Sequence, residues 1–253
     1  DGVICISQSV AQSFQRWAKQ KYPTKTYHRS IDWFHLGADL GNSMPTTGLP
    51  SDAETVLQRI RSAASFLMVG TLEPRKGHTQ VLEAFERLWS QGAPCQLVLV
   101  GRAGWRVEAL LERLRQHPRR QTQLFWLEGI SDEYLEKIYA ASTCLIAASY
   151  DEGFGLPLIE AAQHKLPIMA RDIAVFREVA GEHAYYFDGL APQDLASAIE
   201  RWLALHASGQ HPRSDAMPWL TWAQSAQQLL QRILPASAQP GSQPLHNTSQ
   251  ICL

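Results

Sequence analysis

The sequence predicts an α/β fold in which a parallel sheet is covered by helices on both faces. Short runs of almost continuously apolar residues alternate with segments whose apolar residues recur at helical spacing. Strands that are buried on both faces have this apolar composition. The chain has 253 residues, of which 45% are hydrophobic, which is sufficient for a sizeable core. Ligands of such folds lie beyond the carboxyl ends of the strands.

The beginning of the chain predicts one strand and one helix. Residues 3–7 form an apolar, β-prone run that ends in serine, and residues 10–17 follow at helical spacing. Residues 41–50 are rich in Gly, Pro, Ser and Thr, which favours a loop. A short helix is expected over residues 53–63.

The strand and helix alternation begins after that short helix. Strands are expected near residues 66–70, 96–101, 123–127, 144–148, 167–170 and 184–187. Helices are expected near residues 78–90, 105–116, 132–141, 156–164, 173–179 and 192–206. A last helix is expected from Thr221, which is suited to cap it, to about Ile233. Beyond Leu234 the Pro, Ser, Gln and Ala content predicts a loose tail.

Charge and cysteine content exclude several classes of protein. The formal net charge is −1 and the pI is near 6.8, which argues against a nucleic-acid partner because a phosphate backbone usually requires a basic face. The four cysteines have no paired short spacing, so neither a zinc site nor a disulfide framework is indicated. A reducing compartment is the simplest account of them. No apolar run reaches the ~18 to 20 residues of a membrane span.

The most informative motif lies at residues 149–160, where Glu152 and Glu160 stand eight apart around a Gly-Phe-Gly turn. The motif follows the apolar run 144–148 and precedes a helix that Pro157 can open. Glycines allow close backbone approach to a ligand, and the free N–H groups of a helix start favour an anion. Glu152 would reach a sugar hydroxyl, and Glu160, expected in the first helical turn, would accept from a ribose diol. The alternative is that these residues only begin a helix, since the helix dipole alone favours Glu near a helix N-terminus.

A second motif, Gly-Thr-Leu-Glu-Pro-Arg-Lys-Gly-His over residues 70–78, also lies between an expected strand and an expected helix. Arg75 and Lys76 could neutralise a diphosphate, the guanidinium through two parallel donors and the ammonium as a point charge. The alternative is a pair of solvated surface cations. The diphosphate interpretation is favoured because both motifs follow strands of one parallel sheet and so share an edge.

With these motifs the chain resembles the family 4 glycosyltransferases, and in particular their C-terminal donor-binding domain. The resemblance covers roughly residues 65–205. It rests on Gly-x-Leu-x-Pro-Arg-Lys-Gly, then Leu-Val-Leu-Val-Gly at 97–101, then Leu-Glu-Gly-Ile-Ser-Asp-Glu-Tyr-Leu at 127–135, then the Glu-x7-Glu signature. One departure is Thr71, where many members carry Arg, which leaves more of the phosphate binding to the Arg-Lys pair.

The resemblance implies a Rossmann-like sheet that forms the C-terminal half of a GT-B fold. It implies transfer of a sugar from a nucleotide-diphospho-sugar with retention, and no cofactor or bound metal; the chain has no Asp-x-Asp motif. The expected catalytic residues are Glu152, Arg75 and Lys76. The expected donor-binding residues are Gly70, Thr71, Gly129, Ile130, Leu135, Gly153, Phe154, Gly155, Leu156 and Glu160.

The site for the nucleobase rests mostly on the resemblance. Backbone groups of the turn at residues 129–131 would read the edge of the base, and Ile130 and Leu135 would pack on its face. Alternatively, Gly-Ile-Ser-Asp is only a good helix start, with Ser131 as the N-cap. Arg102, in a glycine-rich turn, would face the nucleotide or solvent.

The resemblance also implies a domain organisation. Residues 1–40 are expected to be the last elements of an N-terminal acceptor domain and the crossover, and residues 41–210 the donor domain. Residues 211–234 are expected to hold a crossover helix, followed by the tail at 235–253. The remaining acceptor domain would precede this chain, which is expected to bind the donor without transferring it. The full enzyme is expected in the cytoplasm, at the inner face of the membrane through peripheral association.

The donor that the motifs favour is GDP-mannose, because the residues around Arg75 look most like bacterial mannosyltransferases of surface polysaccharide synthesis. The acceptor would be a glycan or a lipid-linked glycan. Two alternatives remain open. One is a nucleotide-sugar-binding module without catalysis, and the other is a different GT-B enzyme such as an epimerase or a phosphorylase.

Overall fold

The structure, a computed structural model, describes residues 2–23, 30–39 and 44–234. The chain divides into two compact units, one built from residues 1–37 and 220–253 and the other from residues 38–219. These units change after residues 37 and 219, whereas the predicted domain boundaries follow residues 40 and 210. The predicted tail falls outside the described residues. Assignment of the two units to acceptor and donor domains stays a prediction.

The described helices and strands follow each other in a simple order. They are β1 (Val3–Cys5), α1 (Gln8–Lys21), β2 (Ile31–Trp33), α2 (Ala53–Arg61), β3 (Ser65–Val69), α3 (His78–Ser90), β4 (Gln96–Val100), α4 (Glu108–Gln116), β5 (Leu124–Leu127), α5 (Asp132–Ala141), β6 (Cys144–Ala147), α6 (Leu156–Gln163), β7 (Ile168–Arg171), α7 (Ala174–Ala180), β8 (Ala184–Phe187), α8 (Pro192–Ala207) and α9 (Trp222–Ile233).

The smaller unit is a β1-α1-β2 arrangement together with α9. The two strands pair in parallel, with Val3 opposite Ile31. Helix α9 is tied to the segment after β2, because the Ser225 hydroxyl donates to the His35 carbonyl at 2.6 Å. The Thr221 hydroxyl accepts from the Gln224 amide at 3.1 Å, so the predicted N-cap is confirmed.

The larger unit contains one six-stranded sheet with the order β5-β4-β3-β6-β7-β8, in which every pair of neighbours is parallel. This confirms the predicted parallel α/β sheet. The chain runs outward from β3 through β4 to β5, then returns to the other side of β3 and runs outward again through β6 and β7. Strand order therefore reverses between β3 and β6. In open α/β sheets this reversal creates the crevice that binds ligands.

The sheet is buried on both faces. One core cluster contains Phe66 and Met68 of β3 together with apolar residues of α3, α4 and α8. Leu67, between those two residues, is also fully buried but lies outside that cluster. Because successive strand residues point to opposite faces, it faces the second layer. The buried residues of α2 and α5 likewise lie outside the first cluster, as expected for helices on the second face.

The predicted strands and helices of the larger unit match the structure to within three residues. In the smaller unit, α1 runs over residues 8–21 and not only over 10–17, and strand β2 was not predicted. In the larger unit the largest difference is at the start of α4. Helix α4 begins at Glu108 and not at residue 105, because Arg106 has a φ of 54°, which lies outside the right-handed helical region. Among residues 2–23, 30–39 and 44–234, no helix has the length and apolar character that crossing a bilayer requires.

Candidate active site

The loops that follow β3 and β6 meet at the reversal of strand order. After β3 the chain makes a 3-10 turn at Pro74–Lys76, and Gly77 then adopts a left-handed conformation with a φ of 76° before α3 begins. A Cβ at Gly77 would lie 2.4 Å from the carbonyl oxygen of Ala148, so only glycine allows this approach. The Tyr150 amide donates to the Arg75 carbonyl at 2.7 Å. The two motifs are thus held side by side.

Their side chains form a compact charge cluster, consisting of Glu73, Arg75, Lys76 and Glu152. Lys76 Nζ donates to Glu152 Oε2, and Arg75 Nη1 lies 3.3 Å from Glu152 Oε1. Arg75 Nε also donates to Glu73 Oε2 at 2.9 Å. Lys76 and Glu152 are largely enclosed, with 16% and 12% of their side chains exposed, whereas 43% of Arg75 is exposed. The structure therefore brings together the three residues predicted to be catalytic.

The surroundings of Glu152 favour its ionised form. Burial alone would raise the pKa of this carboxyl group. The hydrogen bond and charge of Lys76, the Gly153 amide and the Arg75 charge outweigh burial, so the pKa lies below its ordinary value. Glu152 is thus a carboxylate held between two cations. Such a group can orient sugar hydroxyls while the cations interact with an anion.

A small cavity of about 20 Å³ lies beside this cluster, lined by residues that include Lys76, His78, Ser149 and Glu152. It is large enough for about one water molecule. His78 is 3% exposed, and its Nδ1 has no hydrogen-bond partner among the described residues. Burial and the Lys76 charge lower the pKa of His78 to about 4. The imidazole is therefore neutral at physiological pH and adds no charge to the cluster.

Glu160 lies in a different environment. It lines a cavity of about 280 Å³ together with Met44, Pro45, Asp132, Leu135, Glu136, Tyr139 and His164. The Tyr139 hydroxyl donates to Glu160 Oε2 at 2.6 Å. The Tyr139 and His164 rings are stacked, with centroids 5.0 Å apart. This cavity has an aromatic wall and three carboxyl groups in its lining, of which the Glu160 carboxyl is oriented by Tyr139. An aromatic wall beside an oriented acceptor suits a nucleoside.

Burial raises the pKa of Glu160, and the Tyr139 hydrogen bond opposes this effect. Glu152 in the loop and Glu160 in the helix that follows it therefore have opposite pKa shifts. One prediction about Glu160 is wrong: it is the fifth residue of α6 and lies in the second turn, because the helix begins at Leu156. The helix-start explanation for a Glu at this position is correspondingly weakened.

One wall of the Glu160 cavity comes from the segment before α2. Thr46 is bound to the start of α5, since its amide and its hydroxyl both donate to Asp132 Oδ2 at 2.8 Å. The Gly48 amide donates to Glu133 Oε2 at 2.9 Å. Ser131 caps α5 by accepting from the Tyr134 amide, so the helix-start interpretation of this turn is correct whether or not the turn also binds a base.

The other predicted donor-binding residues occupy varied positions. Gly70 directly follows β3, and its amide donates to the Val100 carbonyl at 2.9 Å. Thr71 is exposed. Gly129, with a φ of 62°, and Ile130 follow β5, and Leu135 lines the larger cavity.

The Gly-Phe-Gly turn presents mostly its backbone. The Phe154 side chain is 4% exposed, so it packs in the core and leaves only main-chain atoms for a ligand. The Gly153 amide donates to Glu152 Oε1 at 3.1 Å. Gly155 caps α6 with a φ of 97°, and Leu156 is its first residue.

Sequence reasoning missed several residues that shape the site: Glu73, His78, Ser149, Tyr139 and His164. The Ser149 hydroxyl lies 3.4 Å from Glu152 Oε2. Tyr139 and His164 come from two helices separated in the chain, so no local motif pairs them. Glu73 is the residue with the clearest sequence signal, because it stands two positions before Arg75.

Metal binding remains a matter of expectation. Within the part of the chain that the structure describes, no group of three or more His, Cys, Asp or Glu side chains is arranged to hold a metal ion. The prediction that no metal is needed is not tested by this geometry.

The chain is similar to curated mannosyltransferases. It is 52% identical over 244 residues to the serotype-specific mannosyltransferase WbdA of Escherichia coli, a match that covers 94% of this chain and 30% of WbdA. It is 32% identical over 149 residues to the O-antigen chain mannosyltransferase B of Escherichia coli, covering 58% of this chain and 38% of that protein. The chain thus spans about 30% of the length of WbdA.

Solved structures share the fold. Anabaena Alr3699/HepE, crystallised with UDP and glucose, has a TM-score of 0.69 at 18% identity, covering 91% of this chain and 62% of that chain. The C-terminal domain of a group 1 family glycosyl transferase, LpcC, from Francisella tularensis has a TM-score of 0.52 at 19% identity, covering 73% of this chain and 93% of that chain. At these identities the likeness concerns the fold alone.

A family model described as glycosyl transferases group 1 matches residues 58–216. This segment contains the six-stranded sheet and both loops of the charge cluster. The chain therefore belongs to the glycosyl transferases group 1 family.

Proposed function

We propose that this chain is the donor-binding part of a retaining mannosyltransferase that takes mannose from GDP-mannose. The observation that carries the proposal is the cluster of Arg75, Lys76 and Glu152 at the reversal of strand order, where ligands of such sheets bind. The cavity around Glu160 adds a second compartment, which has an aromatic wall and acidic side chains. A sugar nucleotide has this same division into a charged and an aromatic part.

The charged compartment suits the diphosphate and the transferred sugar. Breaking a glycosyl–phosphate bond builds negative charge on the leaving diphosphate, which preorganised cations stabilise. Lys76 is held in place by Glu152, and Arg75 by both Glu152 and Glu73. Glu152, kept ionised by these cations, would accept hydrogen bonds from the hydroxyls of the sugar. Because contacts at the reacting ring strengthen as the bond breaks, Glu152 would contribute to the rate.

The second compartment suits the nucleoside. Glu160 has one oxygen bound by the Tyr139 hydroxyl, and its other oxygen can accept from a ribose hydroxyl. Leu135 and the Met44–Pro45 wall supply apolar surface for a base. The glycine turn at Gly129 would contribute backbone groups.

The relatives support mannose as the sugar. WbdA and the second Escherichia coli relative are both named mannosyltransferases, and the name of the second refers to the O-antigen chain. The acceptor would accordingly be a glycan or a lipid-linked glycan of surface polysaccharide synthesis. An acceptor domain outside this chain would complete the site, with the enzyme acting in the cytoplasm at the inner face of the membrane. No metal or other cofactor is proposed.

A thermal-shift and calorimetry panel of GDP-mannose, UDP-glucose, UDP-GlcNAc and ADP-glucose tests the donor assignment on this chain. We expect GDP-mannose to raise the melting temperature most, since a ligand that binds only the folded state stabilises it. A shift by a UDP-sugar with none by GDP-mannose would disprove the GDP-mannose assignment. No binding of any sugar nucleotide would overturn the proposed function.

Transfer is tested separately, on a longer protein that includes the acceptor domain. We expect mannose transfer from that protein and donor binding without transfer from this chain, because one half of a cleft cannot orient two substrates. Robust transfer by this chain would show that the acceptor site is already complete.

A further inference from the structure

We propose that Arg171, at the end of β7, is a positioning residue that fixes the loop carrying Glu152 by holding the Ala148 carbonyl and the Tyr150 ring. This inference rests on the proposed function, because it concerns how the diphosphate and sugar of the donor are held. Arg171 itself would touch neither the donor nor the acceptor.

The geometry of Arg171 is unusual for a cation. Only 5% of the residue is exposed, and its guanidinium donates to neutral acceptors. Nε donates to the Ala148 carbonyl at 3.1 Å, Nη1 to the Gly189 carbonyl at 2.6 Å, and Nη2 to Gln80 Oε1. None of the ion pairs found among the described residues involves Arg171. Enclosure of this guanidinium carries a desolvation cost, which lowers the pKa of Arg171, and the charge of Asp188 opposes that effect.

The bonds of Arg171 lead directly to the charge cluster. Ala148 directly follows β6, and its carbonyl oxygen accepts from Arg171 and lies close to the Gly77 backbone. The guanidinium carbon also lies 4.6 Å from the centre of the Tyr150 ring. The Tyr150 amide in turn donates to the Arg75 carbonyl. A shift of this segment would therefore move the backbone next to both Arg75 and Glu152.

A second path runs through Gln80, which is 3% exposed on α3. Gln80 accepts from Arg171 and donates to the Gly189 and Ala191 carbonyls at 3.2 and 3.0 Å. Helix α3 begins directly after the Lys76–Gly77 turn. Arg171 thus joins three segments: the loop after β6, the first turn of α3 and the loop after β8. The planar fork of five donors makes arginine suited to this task, and lysine cannot reproduce it.

Arg177 provides a matched control in the same region. It lies on α7, half of its side chain is exposed, and it pairs with Asp172 at 2.7 Å. Its guanidinium carbon lies 3.6 Å from the Tyr186 ring centre. Both arginines therefore contact a tyrosine ring, but only Arg171 contacts the loop of Glu152. An exposed pair of this kind contributes little.

The experiment compares Arg171→Met, Arg171→Lys and Arg177→Met by calorimetry on this chain. Each is titrated with the sugar nucleotide that binds the wild type, expected to be GDP-mannose, and with its nucleoside monophosphate. We expect Arg171→Met to weaken sugar-nucleotide binding about tenfold or more, the equivalent of ~1.4 kcal/mol. Monophosphate affinity should stay within about threefold, because that ligand lacks the sugar and the second phosphate that the loop would hold. Arg171→Lys should lie between, and Arg177→Met should match the wild type.

Three results would overturn the inference. The first is unchanged sugar-nucleotide affinity in both Arg171 variants. The second is an equal loss for both ligands that parallels a fall in melting temperature, which would make Arg171 merely structural. The third is a loss of the same size in Arg177→Met. If Arg171→Met does not fold, Arg171→Lys carries the test with the same two ligands. Failure of the wild type to bind any sugar nucleotide is a different result, because it removes the proposed function itself.

Discussion

Glu152 and Glu160 stand eight residues apart in one loop and helix, yet their surroundings differ in charge and in partners. Glu152 is bound by two cations, which lower its pKa despite burial. Glu160 is bound by a neutral tyrosine hydroxyl, and burial raises its pKa. Tertiary contacts therefore give the two glutamates of one motif opposite pKa shifts. A carboxylate among cations suits a site where charge develops during the reaction. A carboxyl group beside an aromatic wall suits binding of a nucleoside.

Substitution of Lys76 tests the charged end and has the largest expected effect. Lys76→Ala, measured in a protein that includes the acceptor domain, should lower kcat/KM. The expected fall corresponds to a loss of ~2 to 4 kcal/mol of transition-state stabilisation. Folding should change little because Glu152 keeps its contacts with Arg75 and the Gly153 amide. Lys137→Ala, an exposed lysine on α5, is the control. Activity of Lys76→Ala within about twofold of wild type would refute the assignment.

A kinetic comparison of Glu152→Gln and Glu160→Gln sharpens the contrast. Glu152→Gln should lower kcat by about tenfold or more, because the sugar contacts proposed for Glu152 would strengthen in the transition state. Glu160→Gln should mainly raise KM for the donor, because ribose is bound equally before and during reaction. Steady-state kinetics with varied donor separates the two. If Glu152→Gln raises KM alone and leaves kcat intact, Glu152 does not lie beside the reacting sugar.

The aromatic end is tested by removing one hydroxyl group. Tyr139→Phe leaves Glu160 without its hydrogen-bond donor and should weaken donor binding by ~1 kcal/mol, about fivefold. Tyr134→Phe on the same helix is the matched control, since the buried Tyr134 hydroxyl has no hydrogen-bond partner within residues 2–23, 30–39 and 44–234. Calorimetry with the donor provides the measurement. Equal effects of the two substitutions would argue against a special role for Tyr139.

The pH dependence of stability should have opposite signs at the two glutamates. The lowered pKa of Glu152 contributes stability that is present above the ordinary value of 4.5 and is lost as the pH falls through the folded-state pKa. The raised pKa of Glu160 has the reverse effect: stability is fully present below 4.5 and is lost as the pH rises through the folded-state pKa.

Melting curves from pH 3.5 to pH 8 test these signs. As the pH rises, Glu152→Gln should lose Tm relative to wild type, and Glu160→Gln should gain Tm relative to wild type. A pH-independent change in Tm caused by the amide does not affect the comparison, because the test uses only the slope of Tm against pH. Parallel slopes for the two variants would show that the two environments do not differ as described.

Most strands and helices of the larger unit could be predicted because short stretches of sequence determine them. Apolar runs such as the one in β3 mark strands buried on both faces, and glycines mark the loops between strands and helices. Arg75, Lys76 and Glu152 were found because they follow such runs, and parallel strands place those ends along one edge. The proximity of the three side chains follows from topology more than from any one residue type.

The rest of the site depends on contacts between distant segments, which no spacing reveals. Tyr139 meets Glu160 only because α5 and α6 lie on the same side of the sheet, and Thr46 meets Asp132 across 86 positions of the chain. The first-turn position expected for Glu160 did not follow from the predicted helix start at residue 156, which agrees with the structure and makes Glu160 the fifth helical residue. Arg171 had a weak signal, a cation ending an otherwise apolar strand.

The contact between the loops after β3 and β4 should make local opening of the backbone rare there. A Cβ at Gly101 would lie 2.0 Å from the Gly70 carbonyl oxygen, and the strand pairing continues past both glycines, with Leu72 donating to Arg102 and Gly104 donating to Leu72. Glycine-rich loops usually exchange their amide protons quickly. Here the amides of Gly70, Leu72 and Gly104 are bonded like those of a strand, so they should exchange slowly with deuterated solvent. The base of the loop that follows β3 is thus expected to open as rarely as the strands beside it.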